Sequence, residues 1–251
     1  MPDLTGTVTL VTGASGTIGH GIARRFAAAG GAVVVHYHRD RSGAGELAGR
    51  IRSAGGAAHV LSADLTGERA CHDLVDAAAA WRGRLDNLVN NAGIQPVENL
   101  EVLTAESWRA MLDANLTSAF ACTQAAARVM RETGGSVTHI ASIEATRPAF
   151  GHAHYASAKA ALVMHARAAA LEYGPLGIRV NTVSPGLVDR PGLAADWPEG
   201  VERWHRAAPL RRLGEPADVG NACVFLASPM ASWITGHDLT VDGGVSAHPA
   251  W

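Results

Sequence analysis

Tyr155 and Lys159 stand four residues apart in a 251-residue sequence that has three tyrosines and a single lysine. Of its 21 basic residues, 20 are arginine. A codon bias toward Arg and Ala accounts for the scarcity of lysine but not for the position of the survivor. A free phenol ionises near pH ~10 and is a poor base at neutral pH, whereas a nearby cation favours its phenolate. On a helix, residues i and i+4 share a face, so the Lys159 ammonium is placed to lower the Tyr155 pKa. Such a pair is commonplace on a solvated helix face. Here its neighbours Ala156, Ala158, Ala160, Ala161, Leu162 and Val163 are apolar, so the pair does not belong to a generally charged surface. Ser142 closes an apolar run, where a hydroxyl can hydrogen-bond an oxygen as charge develops on it. Serine at a strand end is also an ordinary turn residue. Together the three suit proton transfer to a carbonyl oxygen, with Tyr155 as the acid.

A second constellation lies near the N-terminus. Gly13-Ala14-Ser15-Gly16-Thr17-Ile18-Gly19 follows a β-branched run and leads straight into a helical pattern. Glycines there let the backbone approach a pyrophosphate, and the helix N-terminus supplies free N–H donors and partial positive charge. Glycine also serves ordinary turns; the strand-before, helix-after setting is what points to a dinucleotide.

The elements that must position these residues alternate. Buried strands are expected over 7–12, 32–37, 58–62, 85–90, 136–141, 179–183 and 238–241, and helices over 18–29, 45–54, 68–81, 105–131, 153–173 and 216–227. That rhythm predicts an α/β fold: one domain spanning 1–251, a doubly wound parallel sheet of Rossmann type with helices on both faces. Residues 187–209, rich in Pro, Gly and Trp, break the rhythm and are expected to form a substrate lid beyond the strands' carboxyl ends. With 47% hydrophobic residues, 18% charged and a net charge of −2, the composition argues against a nucleic-acid binder. No run reaches the length of a membrane span, no signal-like segment opens the sequence, and three scattered cysteines make no disulfide framework. A cytoplasmic protein is expected.

Over essentially its whole length the sequence resembles the short-chain dehydrogenase/reductase family. The matching residues are Thr12-Gly13…Gly19, Asp64, Asn90-Asn91-Ala92-Gly93, Asn115, Ser142, Tyr155-x-x-x-Lys159, Asn181, Pro185-Gly186 and Val241-Asp242-Gly243-Gly244, in family order. The resemblance implies that Asn115, Ser142, Tyr155 and Lys159 are catalytic, with Asn115 binding a water that relays protons toward Lys159. It implies that the cofactor meets Gly13, Ser15, Thr17, Ile18 and Gly19 at the turn, and Asp64 and Leu65 at the adenine edge. Asn91, Ala92 and Gly93 line it, Tyr155 and Lys159 touch its ribose side, and Pro185, Gly186 and Val188 flank the nicotinamide. Asn90 reads as structural. Two departures stand out. Thr17 occupies a position that is glycine in the family turn TGxxxGxG, where a positive φ would strain a β-branched residue. Arg190 stands where the family motif PGxxxT carries threonine.

The second strand ends His36-Tyr37-His38-Arg39, with no carboxylate before Asp40. His38 and Arg39 can hold a 2′-phosphate, which favours NADP(H) over NAD(H), although Asp40 opposes it and both cations are also plausible turn residues. Twelve histidines include His36-x-His38 and His152-x-His154, but without His-Glu-x-x-His or a cysteine cluster no metal is expected. His152 and His154, just before Tyr155, are candidates for orienting substrate. Trp197, Trp204, Arg203 and Arg206 suggest a mixed aromatic and cationic lid wall, and Trp251 a tail packed near a neighbouring subunit. The resemblance also implies a homotetramer built on the helices over 105–131 and 153–173. The expected activity is NADPH-dependent reduction of a ketone or aldehyde, or the reverse oxidation, on a small-molecule substrate without nucleic-acid or membrane partners. A pteridine reductase, suggested by Thr17 and the 36–39 segment, is the near alternative. A non-catalytic dinucleotide sensor or scaffold is the distant one.

Overall fold

Alternate residues of each apolar run face opposite sides of one sheet, and that period of two builds two separate cores. The computed structural model describes residues 2–247. Its strands are β1 (Val8–Val11), β2 (Ala32–Tyr37), β3 (Ala58–Ser62), β4 (Asn87–Asn90), β5 (Gly135–Ile140), β6 (Ile178–Pro185) and β7 (Asp238–Val241). All neighbours pair in parallel, in the order β3-β2-β1-β4-β5-β6-β7. The helices are α1 (Thr17–Ala28), α2 (Arg41–Ser53), α3 (Glu68–Ala80), α4 (Ala105–Leu112), α5 (Ser118–Val129), α6 (Ala153–Tyr173), α7 (Leu193–Asp196), α8 (Pro198–Ala207) and α9 (Pro216–Ala227).

On one side Leu10, Val34, Leu88, Val137 and Val180 pack against Leu74 and Val75 of α3, Cys122 of α5 and Ala166 of α6. On the other, Val11, Val33, Val35, Val89 and Val183 meet Ile22 and Phe26 of α1, Leu47 of α2 and Val219 of α9. Strands buried on both faces read as continuous Val/Leu runs for this reason. The strand order reverses between β1 and β4, so a crevice opens beyond their carboxyl ends, where such sheets bind ligands. Among the described residues no helix is long and apolar enough to cross a membrane.

Three elements differ from the sequence expectation. The helix over 105–131 is interrupted by a wide π-type turn, Asp113–Thr117, between α4 and α5. Asparagine disfavours a helix interior because its side chain competes for backbone partners, and Asn115 sits in this turn. Helix α2 begins at Arg41 rather than residue 45, because the Asp40 carboxylate caps it by accepting from the Gly43 N–H at 2.9 Å. The 187–209 segment carries two short helices, α7 and α8, the second started by Pro198 at its first position. Trp251 lies outside the described residues.

Candidate active site

The crevice divides into two connected clefts. A larger one of about 800 Å³ is lined by Gly13, Ser15, Thr17, Ile18, Gly19, His38, Arg39, Asp64, Leu65, Asn91, Ala92 and Gly93. A smaller one of about 180 Å³ is lined by Asn115, Ser142, Tyr155, Lys159 and Pro185, with Gln95 at its side. Ile18, Asn91, Gly93 and Ile94 belong to both.

The glycine-rich turn is held from three directions. Thr12 Oγ1 accepts the N–H groups of Asn91 and Ala92 at 2.9 and 3.0 Å, joining the ends of β1 and β4. Asn91 Nδ2 donates to the carbonyls of Thr12 and Gly13 at 2.9 and 3.1 Å. His36 then fixes the turn to β2: its carbonyl accepts from Ala14 N–H at 2.8 Å and its Nδ1 from Gly13 N–H at 3.0 Å. Gly13 has φ +62°, and a Cβ there would lie 2.9 Å from Ala92 Cα. A Cβ on Gly19 would collide with the Gly13 carbonyl oxygen. Thr17 carries no such constraint. It is the first residue of α1, and among the described residues Arg211 alone has a positive φ without being glycine. The anticipated strain at Thr17 is therefore absent. Gly16 precedes α1 and supplies no side-chain cap, leaving the first-turn N–H groups without a side-chain partner. These open donors and the side-chain-free approach at Gly13 and Gly19 fit a pyrophosphate-containing cofactor.

At the far end of this cleft His38 Nε2 lies 3.6 Å from Asp64 Oδ2, both half-exposed. The other Asp64 oxygen accepts from the N–H and hydroxyl of Thr66, and these bonds hold its carboxyl below the usual range. Leu65 is buried, its carbonyl bonded by Cys71 Sγ. Asn90 donates to Thr123 Oγ1 and faces His139 Nδ1, both at 3.1 Å, so it ties β4 to α5 and β5.

In the smaller cleft, burial dominates the electrostatics. Lys159 is only 4% exposed, and its Nζ donates to the Ile140 carbonyl at 2.7 Å. Burial brings its ammonium down to about 8. Burial pushes the Tyr155 phenol up to about 12, with the Ser142 hydroxyl pulling it down and the Glu144 carboxylate adding to the rise. The lowering of Tyr155 by Lys159 anticipated from the i,i+4 spacing is not found: desolvation of the phenolate sets the direction. Lys159 Nζ sits 5.5 Å from the phenol ring centroid. Ser142 Oγ accepts from the Glu144 N–H at 3.1 Å, which leaves its own hydrogen to donate elsewhere. The turn-residue reading of Ser142 is the one seen directly, since it caps the short turn Ile143–Ala145. Asn115 Nδ2 donates to the carbonyls of Ile94 and Met111, and its Oδ1 accepts from Ile94 N–H at 3.3 Å. The π-type turn is what directs this side chain inward.

The two candidate substrate-orienting histidines part company. His152 Nδ1 lies 2.9 Å from Glu144 Oε2 and its ring meets Tyr155 edge-on at 5.9 Å. His154 is fully buried with neither ring nitrogen hydrogen-bonded, and it lines neither cleft. Of the anticipated mixed aromatic and cationic lid wall, one aromatic–cation pair, Trp197 and Arg203, is in contact. Arg206 pairs with Glu202, Arg203 lies over Trp197, and Arg190 pairs with Asp196 at 2.7 Å. Trp204 instead packs inward on the Gly186 backbone. Gly186 N–H bonds the Val241 carbonyl, and Val188 pairs with Gly214, which anchors both ends of the loop after β6. Two participants escaped sequence reasoning. His36 lacked a signal because nothing local shows which backbone group a buried histidine will meet. Glu144 lacked one because its partners, Gln95 and His152, come from distant segments.

A family model described as enoyl-(acyl carrier protein) reductase matches residues 13–246. The chain is 38% identical over 253 residues to 3beta-hydroxysteroid dehydrogenase 1 of Eggerthella lenta, covering 99% of this chain and 97% of that one. It is 35% identical to glucose 1-dehydrogenase 2 of Bacillus subtilis, covering 99% and 98%. Among solved structures, a 7 alpha-hydroxysteroid dehydrogenase complexed with NADH and 7-oxo glycochenodeoxycholic acid superposes with a TM-score of 0.92 at 36% identity, covering 96% of this chain and 95% of that one.

Proposed function

The chain belongs to the short-chain dehydrogenase/reductase family, and we propose that it interconverts a small-molecule ketone or aldehyde and the corresponding alcohol, with NADP(H) preferred to NAD(H). The observation that carries this reading is the meeting of Ser142, Tyr155 and Lys159 in one pocket that shares its wall with the glycine-rich cleft. Gly13, Ser15, Thr17, Ile18 and Gly19 would hold the pyrophosphate, Asp64 and Leu65 the adenine, and Asn91, Ala92 and Gly93 the central ribose side. Pro185, Gly186 and Val188 would border the nicotinamide, which when bound supplies or takes up the hydride.

The protein's part is proton management and orientation. A phenol raised to about 12 is protonated at neutral pH, the state required of an acid in the reductive direction. Tyr155 gives its proton to the substrate oxygen while the Ser142 hydroxyl donates a hydrogen bond to that atom. Lys159, with one of its three donors on Ile140, keeps two for the phenol and a ribose hydroxyl. Asn115 is assigned the water that returns protons toward Lys159. In the oxidative direction the same atoms act in reverse, with the phenolate receiving the alcohol proton.

Three further elements belong to the proposal. Residues 187–209 act as the lid, latched through Trp204 on Gly186. His38 and Arg39 serve the 2′-phosphate. A homotetramer forms through the outer faces of α5 and α6, where Phe120 and Met164 are exposed.

The test follows NADPH absorbance with a panel of ketones, quinones and dihydropterins. Ketone turnover abolished by Tyr155→Phe, with dinucleotide binding retained, is expected. Substantial residual ketone turnover in that variant, or turnover of dihydropterins alone, would overturn the reading.

A further inference from the structure

Beside Tyr155 lies a nearly buried carboxylate that the proposed proton chemistry does not use. Glu144 follows Ser142 by two residues, and its backbone N–H is bonded to the Ser142 hydroxyl. Its side chain and that of His152 are 14% and 15% exposed. Glu144 Oε1 accepts from Gln95 Nε2 at 3.0 Å, and His152 Nδ1 lies 2.9 and 3.1 Å from the two carboxylate oxygens. Gln95 lines the same pocket as Ser142, Tyr155 and Lys159, and the His152 ring abuts the phenol. Three separate segments therefore converge on one polar corner next to the reacting centre. A nearly buried carboxylate–imidazole contact of this kind is weak evidence for stability, because desolvation offsets much of the attraction.

Resting on the alcohol–ketone reading above, we propose that Gln95, Glu144 and His152 form a subsite for a hydroxyl carried on the carbon next to the reacting one, so that the substrate is a vicinal diol or its α-hydroxy ketone. A carboxylate offers about four lone-pair sites, and Gln95 and His152 leave capacity for a further donor. Gln95 Nε2, donating to Glu144 Oε1 at 3.0 Å, holds the carboxylate beside the pocket, so that the hydroxyl's single hydrogen is donated to Glu144. Acceptors select a hydroxyl over an ether or a second carbonyl. His152 already occupies the side of the carboxylate that a substrate cation would take. Around this corner the rim is apolar: Ile94, Val97 and Phe150 are exposed, and the Glu98 N–H to Gly151 carbonyl bond at 2.9 Å joins their two loops. The substrate body is accordingly hydrocarbon, with its two oxygens side by side. The second hydroxyl keeps its hydrogen throughout; only the first carbon loses hydride and proton.

The test uses the full chain with its oxidised dinucleotide and two matched pairs of probes. Turnover is compared for the cyclohexane-1,2-diols and cyclohexanol, and binding by calorimetry for 2-hydroxycyclohexanone and cyclohexanone. The wild type should favour the hydroxylated member of each pair by roughly 10- to 100-fold, the range of a hydrogen bond to a charged group. In Glu144→Leu the kcat/KM ratio of diol to cyclohexanol should collapse toward one, and Gln95→Leu should reduce it by about tenfold. Loss of the Glu144 charge also alters Tyr155, but that change acts on both alcohols and cancels in the ratio. Turnover of both alcohols at equal kcat/KM, or a ratio unchanged in Glu144→Leu, overturns the subsite alone. Selective binding of 2-hydroxycyclohexanone without turnover of either alcohol upholds the subsite and overturns the proposed reaction.

Discussion

The Gly13 N–H donates to His36 Nδ1 at 3.0 Å, and this bond joins the glycine-rich turn after β1 to the interior of β2. The same ring donates from Nε2 to the Ala63 carbonyl at 3.1 Å, so the imidazole is neutral with its proton on Nε2. Burial drives its pKa down from 6.5 to about 4, with the Ala63 bond raising it and His38 lowering it. The unfolded chain therefore takes up a proton at His36 before the folded one does, and stability falls as pH drops from 6.5 through about 4. The full effect is roughly 3 kcal/mol. His36→Leu should flatten that acid limb in denaturant titrations at pH 7, 5.5 and 4.5. It also orphans the Gly13 N–H, and dinucleotide Kd should rise on the order of tenfold by calorimetry.

Asp40 lines the edge of the cleft where a 2′-phosphate would sit, its carboxylate accepting from the Gly43 N–H on the first turn of α2. The exposed His38 and Arg39 line that edge with it. Arg39→Ala should raise KM for NADPH by about 10- to 100-fold, the value of a charge-assisted hydrogen bond, while KM for NADH moves little. A wild type with lower KM and higher kcat for NADH would overturn the assignment.

The sheet was legible because parallel strands buried on both faces leave continuous runs such as Val33-Val34-Val35, and the glycine turn because strand and helix signals flank it. Tyr155 and Lys159 were legible from spacing on an apolar helix. What could not be read is long-range and conformational. The break at Asp113–Thr117 depends on Asn115 finding Ile94 across the fold as well as Met111 one turn back. The direction of the Tyr155 shift depends on how deeply α6 is buried, which i,i+4 spacing does not encode. The start of α2 turned on one side chain, since Asp40 is a cap only once Gly43 is in place.

Lys159 is a cation held at a cost to stability. Its pKa falls from 10.5 to about 8 through burial, so between those values the unfolded chain binds the proton and the folded chain does not. Stability thus rises with pH across that window, and the penalty, roughly 3 kcal/mol, is fully present below it. Lys159→Met removes the penalty but orphans the Ile140 carbonyl, which costs about 1–3 kcal/mol. The net expectation at pH 7 is a Tm raised by about 2–4 °C in an inactive protein, with the gain shrinking by pH 9.5. A variant less stable than wild type at pH 7 would refute this view of the site.

Arginine supplies the same charge without the same shape, which makes Lys159→Arg the sharper probe of mechanism. In the wild type, ketone reduction should decline as pH rises through about 8, because the ammonium that supports Tyr155 loses its proton there. A guanidinium does not titrate in this range, so the variant should lose that limb. It is also a broad planar fork, whereas the Lys159 slot is closed and its donor reaches a single carbonyl at 2.7 Å. Misplacement of about 1 Å near reacting atoms lowers rates on the order of 100-fold, and kcat should fall by that amount below pH ~8, where the wild-type ammonium is intact. The pH dependence of kcat in both proteins distinguishes the two effects. An unchanged kcat with an unchanged limb near 8 would make the lone lysine an accident of arginine-rich composition, and the proton chemistry would have to be rebuilt around Ser142 and Tyr155 alone.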